Sequence, residues 1–263
     1  MVSATSKYKG SGDKIFWNEG NAFKTYLFDA FSIIIPPCEH FIIDAVESSV
    51  KSTSLFSSDK KNTESLISDE ARHSQVHKAY NRKLAASGYA IEKIEKRINN
   101  AMDKLIALQP EEKLIIAAAI EYLTMIISLI VLKSARWVTA EKVYQANVWR
   151  WHCKEEIDHQ GVTENLLKKS NVTYFRRVSI FTSVTMYLLS DLFINICSLY
   201  HCDRKNQKIS RYRFFRSFVF FVVNNGLDLL TLTYQWAKYF RSDSGKNNRN
   251  NRNNKSNNNI LPA

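Results

Sequence analysis

A chain of 263 residues can bury a substantial core in one or two domains. Gly (7) and Pro (4) are scarce and the long apolar-periodic segments lack turn signals, which argues against a β-rich fold and for an all-α one. The net charge of +12 (37 Lys and Arg against 25 Asp and Glu) suits an anionic partner. No nucleic-acid motif accompanies it, so no specific nucleic acid is expected, and an anionic membrane surface or plain solubility is the better reading. Cys38, Cys153, Cys197 and Cys202 form no Cys-x-x-Cys pair, and residues 1–10 hold no apolar signal segment. A reducing, cytoplasmic setting is the default expectation.

Residues 1–30 are mixed and polar and are expected to form an irregular N-terminal arm. Phe31 to Ile35 is a short apolar run ending at Pro36-Pro37, and a helix is expected to begin there, since Pro suits a first turn. On it Glu39, Ile42, Ile43, Val46 and Val50 share one face. Lys51 to Thr63 reads as a serine-rich loop. A second helix is expected over about Glu64 to Ala86, with Leu66, Glu70, His73, His77, Tyr80 and Leu84 on its inner face. Tyr89 to Leu108 reads as a short amphipathic surface helix inside a long connection.

Pro110-Glu111-Glu112 opens a third long helix with its acids at the positive end of the helix dipole. Leu114 to Leu132 is long and apolar enough to cross a membrane, but Glu121 near its middle favours a central helix buried on all sides. After a break at Ser134 to Ala140, a fourth helix is expected over Glu141 to Lys169. Two further apolar segments follow, Val178–Tyr200 and Phe218–Trp236. Asp203 to Arg216 between them holds six basic residues and one acid. These segments read either as two more helices on the bundle or as a hairpin against anionic lipid. Residues 241–263 are an Asn-rich, basic tail expected to be disordered, leaving 31–240 as the folded domain.

Acids and imidazoles recur on the faces that should be buried. They are Glu39, then Glu70-x-x-His73, then Glu121, then Glu156-x-x-His159. A four-helix bundle with two metals in its core uses one Glu from each of two helices and a Glu-x-x-His from each of the other two. The turns agree. Residues at one level of an antiparallel hairpin lie equally far from its turn. The midpoint of Glu39 and Glu70 falls at Ser54–Leu55, inside the first polar loop; that of Glu121 and Glu156 falls at Val138–Thr139, inside the break. The segment Gly88 to Gln109 is long enough to run back along the bundle, as ferritin-like connectivity requires. The expectation is a ferritin-like four-helix bundle with two extra C-terminal helices. Its metal ligands are Glu39, Glu70, His73, Glu121, Glu156 and His159, with Glu70 and Glu156 bridging. Four carboxylates and two imidazoles without thiolates suit two ions of iron, or of manganese. His77 and His152 lie one turn from the ligands on antiparallel helices and should therefore meet. They and Glu155 are expected either to hydrogen-bond the ligating groups or to supply a seventh ligand.

Four stretches resemble the bacterial family named "predicted metal-dependent hydrolase": Pro37-Cys38-Glu39-His40-Phe41, Asp69 to Asn81, Ala119-Ile120-Glu121-Tyr122, and Trp149 to His159. The resemblance spans roughly residues 21–240. It implies a ferritin-like di-iron carboxylate protein, with Tyr122 standing where the family often has His. The family's name implies hydrolysis, whereas the ligand set is similar to that of oxygen-using di-iron enzymes such as p-aminobenzoate N-oxygenase. The favoured expectation is O2-dependent oxidation of a small organic or lipid-like substrate, with an electron donor as partner. Thr124 and Ala117, one turn either side of Glu121, would leave room for O2 or substrate. A hydrolase using a metal-bound water is the alternative. A non-enzymatic, metal-binding, membrane-associated protein is the second alternative; the chain would then be peripheral to or integral in the inner face of a membrane.

Overall fold

The computed structural model describes residues 16–52, 60–159, 161–170 and 172–241. Among them are nine helices and no strand: α1 (Ala22–Ser52), α2 (Lys60–Ala86), α3 (Ile91–Ile106), α4 (Pro110–Lys133), α5 (Tyr144–Asp158), α6 (Val162–Lys169), α7 (Tyr174–Lys205), α8 (Arg211–Asn224) and α9 (Gly226–Lys238). The tail beyond Arg241 lies outside the described residues, as does the tip of the first polar loop.

The helix expected to begin at Pro36 begins at Ala22 instead, so residues 22–30 are not an irregular arm. Pro36 and Pro37 sit inside α1. Proline has no N–H, so Pro36 leaves the carbonyl of Ser32 without its helical donor. Asn81 on α2 supplies one, donating from Nδ2 to that carbonyl at 3.1 Å. The Ser32 hydroxyl answers by donating to Asn81 Oδ1 at 2.9 Å. A partner from the neighbouring helix thus keeps α1 continuous through two residues that locally signal a boundary.

The other corrections are also breaks. The single helix expected over Glu141 to Lys169 is two, α5 and α6, parted at Gly161, whose φ of +106° only glycine adopts readily. The last apolar segment is likewise two helices, α8 and α9, bent by 69° at Asn225. Three helices, not two, therefore follow the bundle and its short α6. Thr173 and Ser210 cap the starts of α7 and α8 by accepting from Arg176 N and Arg213 N.

Helices α1, α2, α5 and α4 form a four-membered ring, each packing on the next, with α4 closing back onto α1. The connection from α2 to α4 runs back along the bundle and carries α3, which buries Ile91, Ile94 and Ile98 against it. That gives the ferritin-like connectivity read from the chain. Helices α7, α8 and α9 lie on the outer side of α1 and α4. The apolar stretches of α1, α4 and α7 are each long and apolar enough to cross a membrane; those of α1 and α4 are 78% buried inside the protein, that of α7 only 17%.

Candidate metal centre

The four ring helices bring Glu39, Glu70, His73, Glu121, Glu156 and His159 into the bundle core, all buried. His73 is central. Its Nδ1 lies 3.7 Å from Glu39 Oε1, 3.7 Å from Glu70 Oε2 and 3.9 Å from Glu156 Oε1. Two overlapping donor groups result, each tight enough to hold a cation: Glu39, His73, His152 and Glu156, and Glu70, His73 and His159. Glu70 stands between imidazoles, with Oε2 towards His73 and Oε1 3.1 Å from His159 Nδ1. Glu121 falls in neither group, yet its carboxyl is buried among theirs, and Glu70 and Glu156 both act on it electrostatically.

Beyond the close approach of Glu70 Oε1 and His159 Nδ1, these donors have nothing else to bind. Glu39 Oε2, both oxygens of Glu70, Glu121 Oε1, and Nδ1 of His73, His152 and His159 are buried without a hydrogen-bond partner. Buried polar atoms are nearly always paired, because an unpaired one forfeits its hydration. Seven orphans converging on one spot are the signature of a ligand set, and carboxylates with imidazoles fit divalent cations. The electrostatics agree. Burial, and then the neighbouring carboxylates, push Glu39 and Glu121 well above the usual carboxylate range. Burial and Glu70 lift Glu156 to about 7. Burial would raise Glu70 too, but the His159 and His73 imidazoles beside it hold it below. Burial would depress His159, but Glu70 and Asp69 outweigh it and raise it to about 9. Carboxylates gathered this closely require positive charge in their midst.

The imidazoles are fixed from behind. His73 Nε2 donates to Glu155 Oε2 at 3.1 Å, and His159 Nε2 donates to Asp69 Oδ2 at 3.0 Å. Each ring thereby turns Nδ1 inward as a lone-pair donor. Arg72 joins the two outer carboxylates, 2.7 Å from Asp69 and 2.9 Å from Glu155. Trp151 Nε1 donates a further bond to Glu155 at 2.8 Å. Glu155 therefore orients His73 and does not face the core. Neither Asp69 nor Arg72 stands out in the sequence as part of the site; their places directly before Glu70 and His73, three residues apart on one helix face, are the signal that could have found them.

His77 and His152 do meet, with ring centroids 4.9 Å apart. They differ in kind. His152 belongs to a donor group and lies 3.3 Å from Glu156 Oε1. His77 belongs to none. Ser32 Oγ spends its one proton on Asn81, so at 2.9 Å from His77 Nδ1 it must accept, and His77 carries its proton on Nδ1. Burial, followed by the nearby imidazoles, keeps both rings neutral, His77 with a pKa of about 3. Thr124 does not leave open space as expected. Its hydroxyl donates to Glu156 Oε2 at 3.0 Å. Ala117 is fully buried among aliphatic side chains. Tyr122 points away from the centre and donates to the Gln235 carbonyl at 2.7 Å.

One cavity reaches this cluster. It has a volume of about 210 Å³, and Glu121 forms part of its wall. Arg177, Lys238 and Arg241 line it as well, together with Glu164 and Tyr239.

Fold and site together define a helical protein with a buried Glu/His metal centre. The family described as "Predicted metal-dependent hydrolase" matches residues 9–243, and the chain belongs to it. Nothing among curated proteins or solved structures matches the chain.

Proposed function

We propose that the protein is a metal-dependent hydrolase whose buried cluster holds two ions and whose substrate enters beside Glu121. The observation that carries the reading is that Glu121 belongs both to the orphaned carboxylates and to the wall of the cavity. Membership of the metal-dependent hydrolase family favours hydrolysis over the oxidation expected from the ligand types. Bound divalent ions supply a Lewis acid and a water acidified towards neutral pH.

The chain's own residues do the rest. Glu39, Glu70, His73, His152, Glu156 and His159 would hold the ions in this reading. Glu155 and Asp69 hold the imidazoles in register, and Thr124 fixes Glu156. Glu121 faces the cavity, where its carboxylate is placed to accept a proton. Arg177, Lys238 and Arg241 favour a substrate with an anionic group, such as a phosphoester or a carboxylate-bearing ester. The surrounding aliphatic core of α1 and α4 keeps bulk water from the opposite side.

The test is hydrolysis of a phosphoester and carboxylic-ester panel without O2, using protein loaded with iron, manganese or zinc. Turnover is expected with at least one metal, and Glu121→Gln should abolish it while metal stays bound. A second reading, oxidation of a bound organic substrate by O2, rests on the donor set of four carboxylates and no thiolate. No hydrolysis by the metal-loaded protein, with product formed only when O2 and a reductant are added, would replace the first reading by the second.

A further inference from the structure

The outer side of the bundle is apolar where it should be polar. Of the eighteen exposed large hydrophobic side chains among the described residues, sixteen lie on α7, α8 and α9. They include Tyr187, Phe193, Phe215, Val223, Leu227 and Leu230, each more than half exposed. Scattered exposed hydrophobics need no explanation, but a contiguous field of them marks a binding surface. Between the apolar side chains on the outward face of α7 stand only small uncharged ones, Ser179, Thr182, Ser183, Ser190 and Ser198. The chain adds a pattern to it. From Val178 to Tyr200 the exposed residues of α7 carry no charge. Asp191, the one acid there, is paired to Arg97 of α3.

Basic residues stand at both ends of this field. Arg204, Lys205, Arg211 and Arg216 lie at one end, where Tyr200 stacks on Phe214. Arg176, Arg177, Lys238 and Arg241 lie at the other, where Tyr174 bonds to Phe240. Arg204, Lys205, Arg211 and Arg216 have no carboxylate partner among the described residues. The charge pattern decides the occupant. In a two-fold pairing of this face with itself, parallel or antiparallel, basic ends would meet basic ends. An apolar interior bordered by anionic groups is instead the surface of a lipid leaflet.

The helices beside this field fix how the protein would lie. Along α2 and α3 the exposed side chains include Lys78, Arg82, Lys93, Lys96 and Lys104. Arg97 of α3 meets α7 near its middle, so these charges stand level with the apolar field. A protein spanning the bilayer would drag them into hydrocarbon. We infer that α7, α8 and α9 form a monotopic membrane face, seated in one leaflet with their axes along its plane, the basic ends on anionic headgroups and the metal bundle above. The embedded depth is then about 5–10 Å, that of an interfacial amphipathic helix. This inference is independent of the reaction at the metal centre.

The full chain, metal-loaded, is mixed with vesicles of phosphatidylcholine with and without phosphatidylglycerol. It should sediment with the anionic vesicles at low salt. Each basic side chain at such a surface is worth about fivefold, so Arg211→Gln with Arg216→Gln should weaken binding about 25-fold. Phe193→Asp with Val223→Asp, both at exposed positions, should abolish it. Cys197 supplies a readout in the unmutated protein, being a free thiol exposed on α7. Its reaction with a membrane-impermeant maleimide should stop when anionic vesicles are added. Full reactivity of Cys197 in sedimented protein would show another surface in contact and overturn the proposal. So would a stable dimer in which Cys197 is protected without lipid, or protein that remains in the supernatant at low salt.

Discussion

Replacing Glu155 by Ala should weaken the metal centre although Glu155 touches no ion in this account. Its carboxylate accepts from His73 Nε2 at 3.1 Å, from Trp151 at 2.8 Å and from Arg72 at 2.9 Å. His73 is fully buried, so its Nε2–H would lose its acceptor and the ring its reason to hold Nδ1 inward. Losing the outer carboxylate of a ligating histidine lowers metal affinity about 10- to 100-fold, or about 1.4–2.8 kcal/mol. Arg72 sets the contrast. Its side chain is 51% exposed, so its ion pairs are screened and worth about 0–1 kcal/mol, less than about sixfold. Asp69→Ala should resemble Glu155→Ala, because it does for His159 what Glu155 does for His73. Competition against a chromophoric chelator measures all three. Glu155→Ala with unchanged affinity, or Arg72→Ala with the larger loss, would refute the reasoning.

The proline run gives a second test. Asn81→Ala leaves the Ser32 carbonyl buried and unpaired, and should cost about 1–3 kcal/mol in denaturant unfolding; Pro36→Ala in that background should recover part of the loss by restoring the helical donor. Gly161→Ala meets no atom closer than 3.9 Å, so its cost is backbone strain alone, about 1–2 kcal/mol, read from the thermal midpoint. The metal-free protein should lose stability from pH 7 to pH 9. His159, raised from an ordinary 6.5 to about 9, holds a proton in the folded state that the unfolded chain has already released, so the stability it contributes is lost as pH rises through that window; Glu156, raised from 4.5 to about 7, has lost most of its contribution by pH 7. His77, depressed to about 3, has the opposite slope, but only below its ordinary value near 6.5. Loading with metal should release protons at pH 7, as seen by calorimetry in buffers of different ionisation heat, and should flatten the pH dependence.

The convergence of these acids and imidazoles was legible because helices make spacing into geometry. Glu-x-x-His puts both donors on one face, and equal distance from a turn puts two helices' donors at one level. The meeting of His77 and His152 followed from the same arithmetic. What escaped depends on contacts between distant residues. Nothing near Pro36 indicates that Asn81 will supply the missing hydrogen bond across to α1. Asp69 and Arg72 look like surface charges until α5 brings Glu155 and His159 beside them. The break at Gly161 carried a local signal in the glycine itself, but the apolar period ran through it and concealed the change of direction. The bend at Asn225-Gly226 was hidden in the same way by the long apolar run. The outward apolar face of α7 could not be read from periodicity, because a buried helix and one facing lipid have the same composition.

The dinuclear centre stands or falls on metal content. Protein produced with iron and manganese available, then freed of loosely bound ions, should carry two ions per chain by elemental analysis. Substituting Glu70→Ala and Glu156→Ala together should remove them. Fewer than one ion per chain in folded protein, with a thermal midpoint that does not rise when metal is added, would contradict the account.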